Sequence, residues 1–166
     1  MPDDTTIFEP YFNHTEKKLI YAAAEEAAEY LKEFYCIAPR EWFNHCYDVR
    51  TEREDASGSS QGNAFAEVRQ YAPFLHKTSV FPQDRYHIFL FDRNILQTLW
   101  QKSELEFYPF MLYILTHELI HIVRFCQNMH PFECDPVSLQ REEERVDRLT
   151  RQVLQTRQKK TFSIIS

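Results

Sequence analysis

One short motif in this 166-residue chain combines side chains that bind metal ions with a side chain that moves protons. It is the H-E-x-x-H pattern His117-Glu118-Leu119-Ile120-His121. Residues four apart on an α-helix lie one above the other, so the two imidazoles can converge on one ion. Glu118 lies about 100° round the helix, where its carboxylate can reach a water on that ion without binding the ion. The motif predicts a zinc site with His117 and His121 as ligands and Glu118 as general base.

The residues around the motif predict that its helix is buried. Apolar side chains surround it on every face: Phe110, Met111, Leu112, Ile114, Leu115, Ile122, Val123 and Phe125. A helix that is apolar all round lies in the interior, where His and Glu are costly to bury unless partners or a metal satisfy them. The alternative interpretation is two core histidines bonded to backbone or water, with Glu118 in an ion pair.

A catalytic zinc site needs a third protein ligand and an open fourth position. The longer H-E-x-x-H-x-x-G-x-x-H pattern would supply that ligand locally, but Arg124 and Gln127 occupy its glycine and last histidine positions. We therefore expect the third ligand from the following helix, with His130 in the intervening loop as an alternative. Arg124 lies on the same helix face as His117, and we expect it to pair with an acid on the next helix, such as Glu142.

Three consecutive glutamates on that next helix are candidates for the third ligand. They lie in the gap of an apolar stripe formed by Leu139, Val146, Leu149 and Val153. At about 100° per residue, Glu142 and Glu143 flank the centre of the stripe, whereas Glu144 points away from it. This geometry does not choose between Glu142 and Glu143. Asp147 lies four residues after Glu143 and could accept the second N–H of a ligand histidine, which favours Glu143.

The H-E-x-x-H motif followed by an E-x-x-x-D pattern at Glu143 to Asp147 resembles the gluzincin zinc metallopeptidases, such as thermolysin. The CAAX-prenyl and HtpX-type endopeptidases are similar, and their E-x-E-A-D-R pattern compares with residues 143–148. The resemblance covers residues 116–149 and implies a zincin-like α+β fold. In that fold a small mixed or antiparallel sheet packs on the active-site helix and a glutamate-bearing helix follows.

The resemblance also implies an activity, the hydrolysis of peptide bonds in peptide or protein substrates. Zn²⁺ would be held by His117, His121 and Glu143, and would lower the pKa of a bound water to about 7. Glu118 would take the proton of that water and pass it to the leaving amine. An edge strand, either 64–71 or 86–91, would align the substrate backbone.

A non-catalytic zincin-fold protein that binds a metal or a partner is the alternative function. A structural zinc site is closed by four protein ligands, so His130 or a cysteine joining the other three would favour this alternative. Glu118 favours catalysis, because a purely structural site has no use for it.

The pattern of helices and strands predicts one α+β domain over residues 1–166. Thr15 is the expected N-cap of the first helix, the Ser103/Glu106 pair is expected to cap the second long helix, and Asp135 the last. The expected elements are a leader 1–13, helices 15–35, 93–102, 106–127 and 136–157, strands 42–50, 64–71 and 86–91, an exposed loop 51–62 and a tail 159–166.

Composition excludes several classes of function. The only glycines are Gly58 and Gly62, so a glycine-rich phosphate loop is excluded. The net charge of −6, without a Lys/Arg cluster, argues against nucleic-acid binding. The longest apolar stretch, 107–115, is too short for a membrane span. A polar N-terminus and four cysteines without a C-x-x-C pair predict a cytoplasmic protein with free thiols.

Overall fold

The computed structural model describes residues 10–42, 47–54, 62–71 and 85–165. These residues form α1 (His14–Phe34), β1 (Tyr47–Thr51), β2 (Ala66–Tyr71), β3 (Arg85–Leu90), α2 (Asp92–Gln101), α3 (Phe107–Cys126) and α4 (Pro136–Ile165), with a 3₁₀ turn at Pro39–Glu41. The mixed α+β organisation and the order of the elements match the prediction. Most of the predicted leader (1–9), most of the predicted loop (55–61), Cys46 and Gly58 lie outside the described residues.

The N-terminal ends of α1 and α4 are capped by side chains that accept backbone N–H groups. Asn13, not the predicted Thr15, caps α1: it accepts from the Glu16 N–H at 2.8 Å, and Glu16 accepts from the Asn13 N–H at 2.9 Å. This reciprocal capping box satisfies two of the unpaired donors at the helix start. Asp135 caps α4 as predicted, accepting from the Ser138 N–H at 3.0 Å.

Two helices end at non-glycine residues in the left-handed conformation. Cys36 follows α1 with φ of 53° and Asn128 follows α3 with φ of 54°. At each end the next N–H bonds to the carbonyl five residues earlier: Ile37 to Lys32 and Met129 to Arg124, both at 2.8 Å. These are Schellman endings, which usually use glycine. Asn128 was the predicted end of its helix.

Two helix boundaries differ from the prediction. The prediction that Ser103 and Glu106 cap α3 is wrong, because Glu106 is itself the N-cap residue and makes no side-chain capping bond. The last helix continues to Ile165 instead of ending near Arg157, so most of the predicted tail is helical. Good helix formers such as Gln and Lys fill residues 155–160, and nothing local stops the helix there.

The three strands form a mixed sheet in the order β1-β3-β2. The central strand β3 is parallel to β1 and antiparallel to β2, and Ile88 lies between Val49 and Val68. The predicted strand from Trp42 began too early, since Trp42 directly follows the 3₁₀ turn. With β3 paired on both sides, β2 is an edge strand of the sheet that the described residues form.

Aromatic side chains hold the sheet against α3. Phe65, just before β2, meets Phe110 edge-on with ring centroids 5.0 Å apart, and Tyr86 of β3 stacks on Phe125 at 5.8 Å. The packed faces exclude water from Ile88 and the apolar residues of α3, and burial of this kind is the main stabilising term of a fold. No helix in the described part of the chain is long and apolar enough to cross a membrane.

A buried carboxylate joins α2 to two distant segments. Asp92 is fully buried and accepts the backbone N–H of Glu52 at 3.0 Å and of Phe12 at 3.4 Å. Burial raises its pKa to about 6, although these hydrogen bonds act in the opposite direction. Asp92 therefore ties the residues before α1 and after β1 to the start of α2.

Candidate metal centre

The helix α3 presents a column of four aromatic rings on one face. Tyr113, His117, His121 and Phe125 follow one another at intervals of four residues, with ring centroids 6.4, 5.0 and 6.0 Å apart. His121 is 6% exposed, and the side chain of His117 is 17% exposed. The buried helix predicted from the apolar flanks is confirmed, and both imidazoles of the motif point the same way.

Glu143 of α4 completes a cluster with the two histidines. Its Oε2 lies 3.2 Å from the Nε2 of His117, and its Oε1 lies 3.1 Å from the Nε2 of His121. One potential ligand atom from each of the three residues lies within 4.8 Å of the others. The residues predicted as the metal ligands from two separate helices are therefore brought together.

The neighbouring Glu142 has a different partner. It is 3% exposed and binds the Arg124 guanidinium of α3, with Nη2 donating to Oε2 at 3.1 Å and Nε donating to Oε1. The predicted ion pair between Arg124 and the next helix is confirmed. Glu142 therefore faces Arg124, and Glu143 is the carboxylate that contacts the histidines.

Glu118 lies beside the cluster with little access to solvent. It is 8% exposed, and burial raises its carboxyl pKa. The positive charge that His117 and His121 can carry acts in the opposite direction, whereas Glu143 and Glu67 raise the pKa further. A carboxyl whose pKa is raised toward neutrality can both accept and return a proton.

Within the cluster, Glu143 and His117 each stabilise the charged form of the other. Burial raises the pKa of Glu143, but hydrogen bonds from His117 and His121 outweigh it, and the pKa lies well below its usual range. Burial lowers the pKa of His117, but the bond to Glu143 and the charge of Glu118 outweigh it, and that pKa is raised. The site therefore stabilises a carboxylate beside two nitrogen donors.

Asp147 lies in the same cavity, one turn after Glu143. It accepts a hydrogen bond from the Tyr113 hydroxyl and pairs with Arg151 at 2.9 Å. Its negative charge contributes to the raised pKa of His117. A direct hydrogen bond from a ligand histidine to Asp147 stays a prediction.

These residues line a cavity of about 460 Å³ between α3, α4 and the edge of β2. His117, Glu118, His121 and Glu143 lie on its polar side. The sheet side and the rim are mostly apolar, with Ala64, Phe65, Ala66, Val68, Phe125, Phe132 and Leu139. A concave, largely apolar pocket with a few converging polar groups is typical of a ligand site.

His130, the alternative ligand, lines this cavity but is not a member of the three-residue cluster. Its Nδ1 is shielded from solvent and has no hydrogen-bond partner in the described part of the chain. Phe125 lies between His121 and His130, with its ring centroid 6.0 and 6.3 Å from theirs.

The predicted site residues did not include the cavity residues Tyr113 and Phe132. The signal for Tyr113 was present, because it lies four residues before His117 on the same helix face. Phe65 falls within residues 64–71, one of the two strands expected to align a substrate. Nothing in the local pattern indicated Phe132, which lies in the α3–α4 connection.

The donor set has the chemistry of a metal site. Imidazole nitrogen and carboxylate oxygen are both ligands that zinc accepts, and one such atom from each of His117, His121 and Glu143 lies within 4.8 Å of the others. This group of residues could hold a metal ion.

Comparisons with known proteins add no family to this description. No protein-family model matches the sequence, and searches of curated proteins and of solved structures find no match.

Proposed function

We propose that this protein is a zinc-dependent metallopeptidase of the gluzincin type, with a zincin-like fold, acting on peptide or protein substrates in the cytoplasm. One observation carries the proposal. His117 and His121 of α3 and Glu143 of α4 converge within 4.8 Å, beside the buried Glu118, at the floor of an open cavity. Free thiols at Cys36 and Cys134 agree with a reducing compartment.

In this proposal His117, His121 and Glu143 hold zinc, and each of the chain's other groups has its own task. A zinc ion in such a site polarises a carbonyl oxygen and lowers the pKa of water. Glu118 is the general base: its buried carboxylate accepts the proton of the attacking water and returns it to the leaving amine. Because Glu118 has little contact with bulk water, its interactions with neighbouring charges are stronger than they would be at the surface.

The edge strand β2 is the proposed guide for the substrate backbone. Sequence reasoning left β2 and β3 open, but β3 is paired on both sides, whereas β2 borders the cavity. An extended peptide can add to such an edge through main-chain hydrogen bonds. Residues 64–68, which include the start of β2, all line the cavity.

A non-catalytic metal-binding protein remains the second candidate, and the ligand count distinguishes the two. A structural zinc site uses four protein ligands. In the described part of the chain only His117, His121 and Glu143 gather in this way, and His130 is not among them. Three gathered ligands within the described residues, with the buried Glu118 beside them, favour catalysis.

The test combines metal analysis with a search for cleavage. Purified protein should hold one zinc per chain, and His117→Ala should abolish this binding. Peptide mixtures incubated with the wild type and analysed by mass spectrometry should show new cleavage products. Glu118→Gln should retain zinc and lose cleavage, whereas Glu144→Gln, a matched change at an exposed neighbour of Glu143, should retain both.

Each negative outcome has its own meaning. Equal and negligible zinc in the wild type and in His117→Ala would contradict both candidate functions. Cleavage that survives Glu118→Gln would contradict the mechanism. Stoichiometric zinc without cleavage of any peptide would favour the non-catalytic candidate.

A further inference from the structure

We infer that the buried ion pair between Arg124 and Glu142 positions the third ligand of the zinc site, an inference that rests on the proposed function. Arg124 lies three residues after His121 on α3, and Glu142 directly precedes Glu143 on α4. The pair therefore joins the two helices immediately beside the proposed ligands.

The geometry of the pair restrains both distance and direction. Nε and Nη2 of Arg124 donate to the two oxygens of Glu142, with Nη2–Oε2 at 3.1 Å. The side chains are 8% and 3% exposed. A planar guanidinium that binds a carboxylate through two parallel hydrogen bonds allows little sliding or rotation. Nη1 of Arg124 also lies 3.7 Å from the Met129 sulfur, so the fork is held from the loop side as well.

The ligand Glu143 needs such a restraint, because its own burial does not fix it. Its side chain is 49% exposed, whereas those of His117 and His121 are 17% and 7% exposed. A zinc–oxygen bond tolerates an error of a few tenths of an ångström around about 2.1 Å. A slip of α4 by one residue would shift it by about 1.5 Å and turn it by about 100°. Apolar contacts are not directional, so they resist such a slip less than the fork does.

The buried pair is better explained by positioning than by stability. Replacing a buried ion pair by apolar residues of similar volume is often neutral or stabilising, whereas removing one partner alone strands a charge. A double replacement, Arg124→Met with Glu142→Leu, therefore separates the two roles. It keeps a filled, uncharged interior while it removes the directional link between α3 and α4.

The experiment measures zinc affinity by chelator competition and records the visible spectrum of the Co²⁺-substituted protein, which reports coordination geometry. The double variant should bind zinc about 10- to 100-fold more weakly than the wild type, the range known for groups that support a ligand. Its Co²⁺ spectrum should change. Arg124→Lys, which keeps the charge but loses the fork, should have a smaller effect in the same direction. The control is Arg157→Met, which removes an ion pair of 3.0 Å between α4 and Glu33 of α1, far along α4 from the site.

The possible outcomes separate this inference from the proposed function. A folded double variant with zinc affinity within about twofold of wild type and an unchanged Co²⁺ spectrum would overturn the positioning role and leave the zinc site intact. Equal weakening in Arg157→Met would also overturn it, since general loosening of α4 would then explain the effect. If the double variant does not fold, Arg124→Lys decides by the same two readouts. A wild type that binds no zinc would overturn both proposals.

Discussion

Replacing Glu118 by glutamine should stabilise the metal-stripped protein while it abolishes peptide cleavage. Glu118 is 8% exposed, and burial raises its pKa. The folded protein therefore holds this proton more tightly than the unfolded chain, whose glutamate has a pKa of about 4.3. As the pH rises above that value, wild type loses stability, because folding then requires burial of the ionised form. Glutamine keeps the shape and carries no charge, so the variant avoids this loss.

The expected gain in the free energy of unfolding equals the cost of burying a polar group without all its hydrogen-bond partners, about 1–3 kcal/mol. For a chain of this size each kcal/mol shifts Tm by about 2–4 °C, so the variant should melt roughly 2–12 °C higher near pH 8. Near pH 5 the gap should shrink, because Glu118 is then more protonated and folding buries less of the ionised form.

The assay is thermal and denaturant unfolding in a chelator, near pH 5 and near pH 8, for the wild type, Glu118→Gln and Glu144→Gln. Because Glu144 is exposed, the Glu144→Gln variant should have the same stability as wild type at both pH values. Taking the difference between each variant and wild type cancels the titration of the other groups to first order. A Glu118→Gln protein that is less stable than wild type near pH 8, or a gap that does not change with pH, would refute the desolvated-carboxylate interpretation.

Further predictions concern the ligand, a buried acid and the core. Glu143→Gln should weaken zinc binding at least about 100-fold by chelator competition, whereas Glu144→Gln should not change it. The free energy of unfolding of Asp92→Asn should rise by roughly 1–3 kcal/mol relative to that of wild type as the pH increases from about 4 to about 7. The reason is that the pKa of Asp92 is raised to about 6, so its ionisation opposes folding. Urea unfolding at several pH values checks this, and a pH-independent difference would contradict it. Ile88→Ala, in the fully buried centre of the sheet, should cost about 2–5 kcal/mol. The matched change Val137→Ala, at a site that is 60% exposed, should cost under about 0.5 kcal/mol in the same denaturant series.

Local sequence signals predicted the elements well where the deciding contacts are local. The start of α4 follows from Asp135 and Pro136, and its cap bond spans three residues. The end of α3 follows from Asn128, which tolerates the left-handed conformation. The predicted Thr15 cap is wrong because Asn13 forms a complete capping box with Glu16, whereas Lys18 stands three residues after Thr15.

Strand boundaries and strand order, which depend on tertiary pairing, were harder to predict. The strand expected to begin at Trp42 was overextended, since aromatic content alone does not show where pairing with β3 begins. The edge strand was left open between β2 and β3, because strand order is set by contacts distant in sequence. The sheet order places β2 at the cavity.

The sequence by itself determined that His117 and His121 lie on one face of a buried helix, because four-residue spacing and apolar flanks act within a single element. It also narrowed the candidates for the third ligand to Glu142, Glu143 and His130, with Glu143 favoured by Asp147. Only the tertiary structure decided between them. Arg124 and Glu142, eighteen residues apart, meet in a buried fork, and this contact turns Glu143 toward the histidines. The rotation of one helix against another depends on such long-range contacts, and helical periodicity alone carries no information about them.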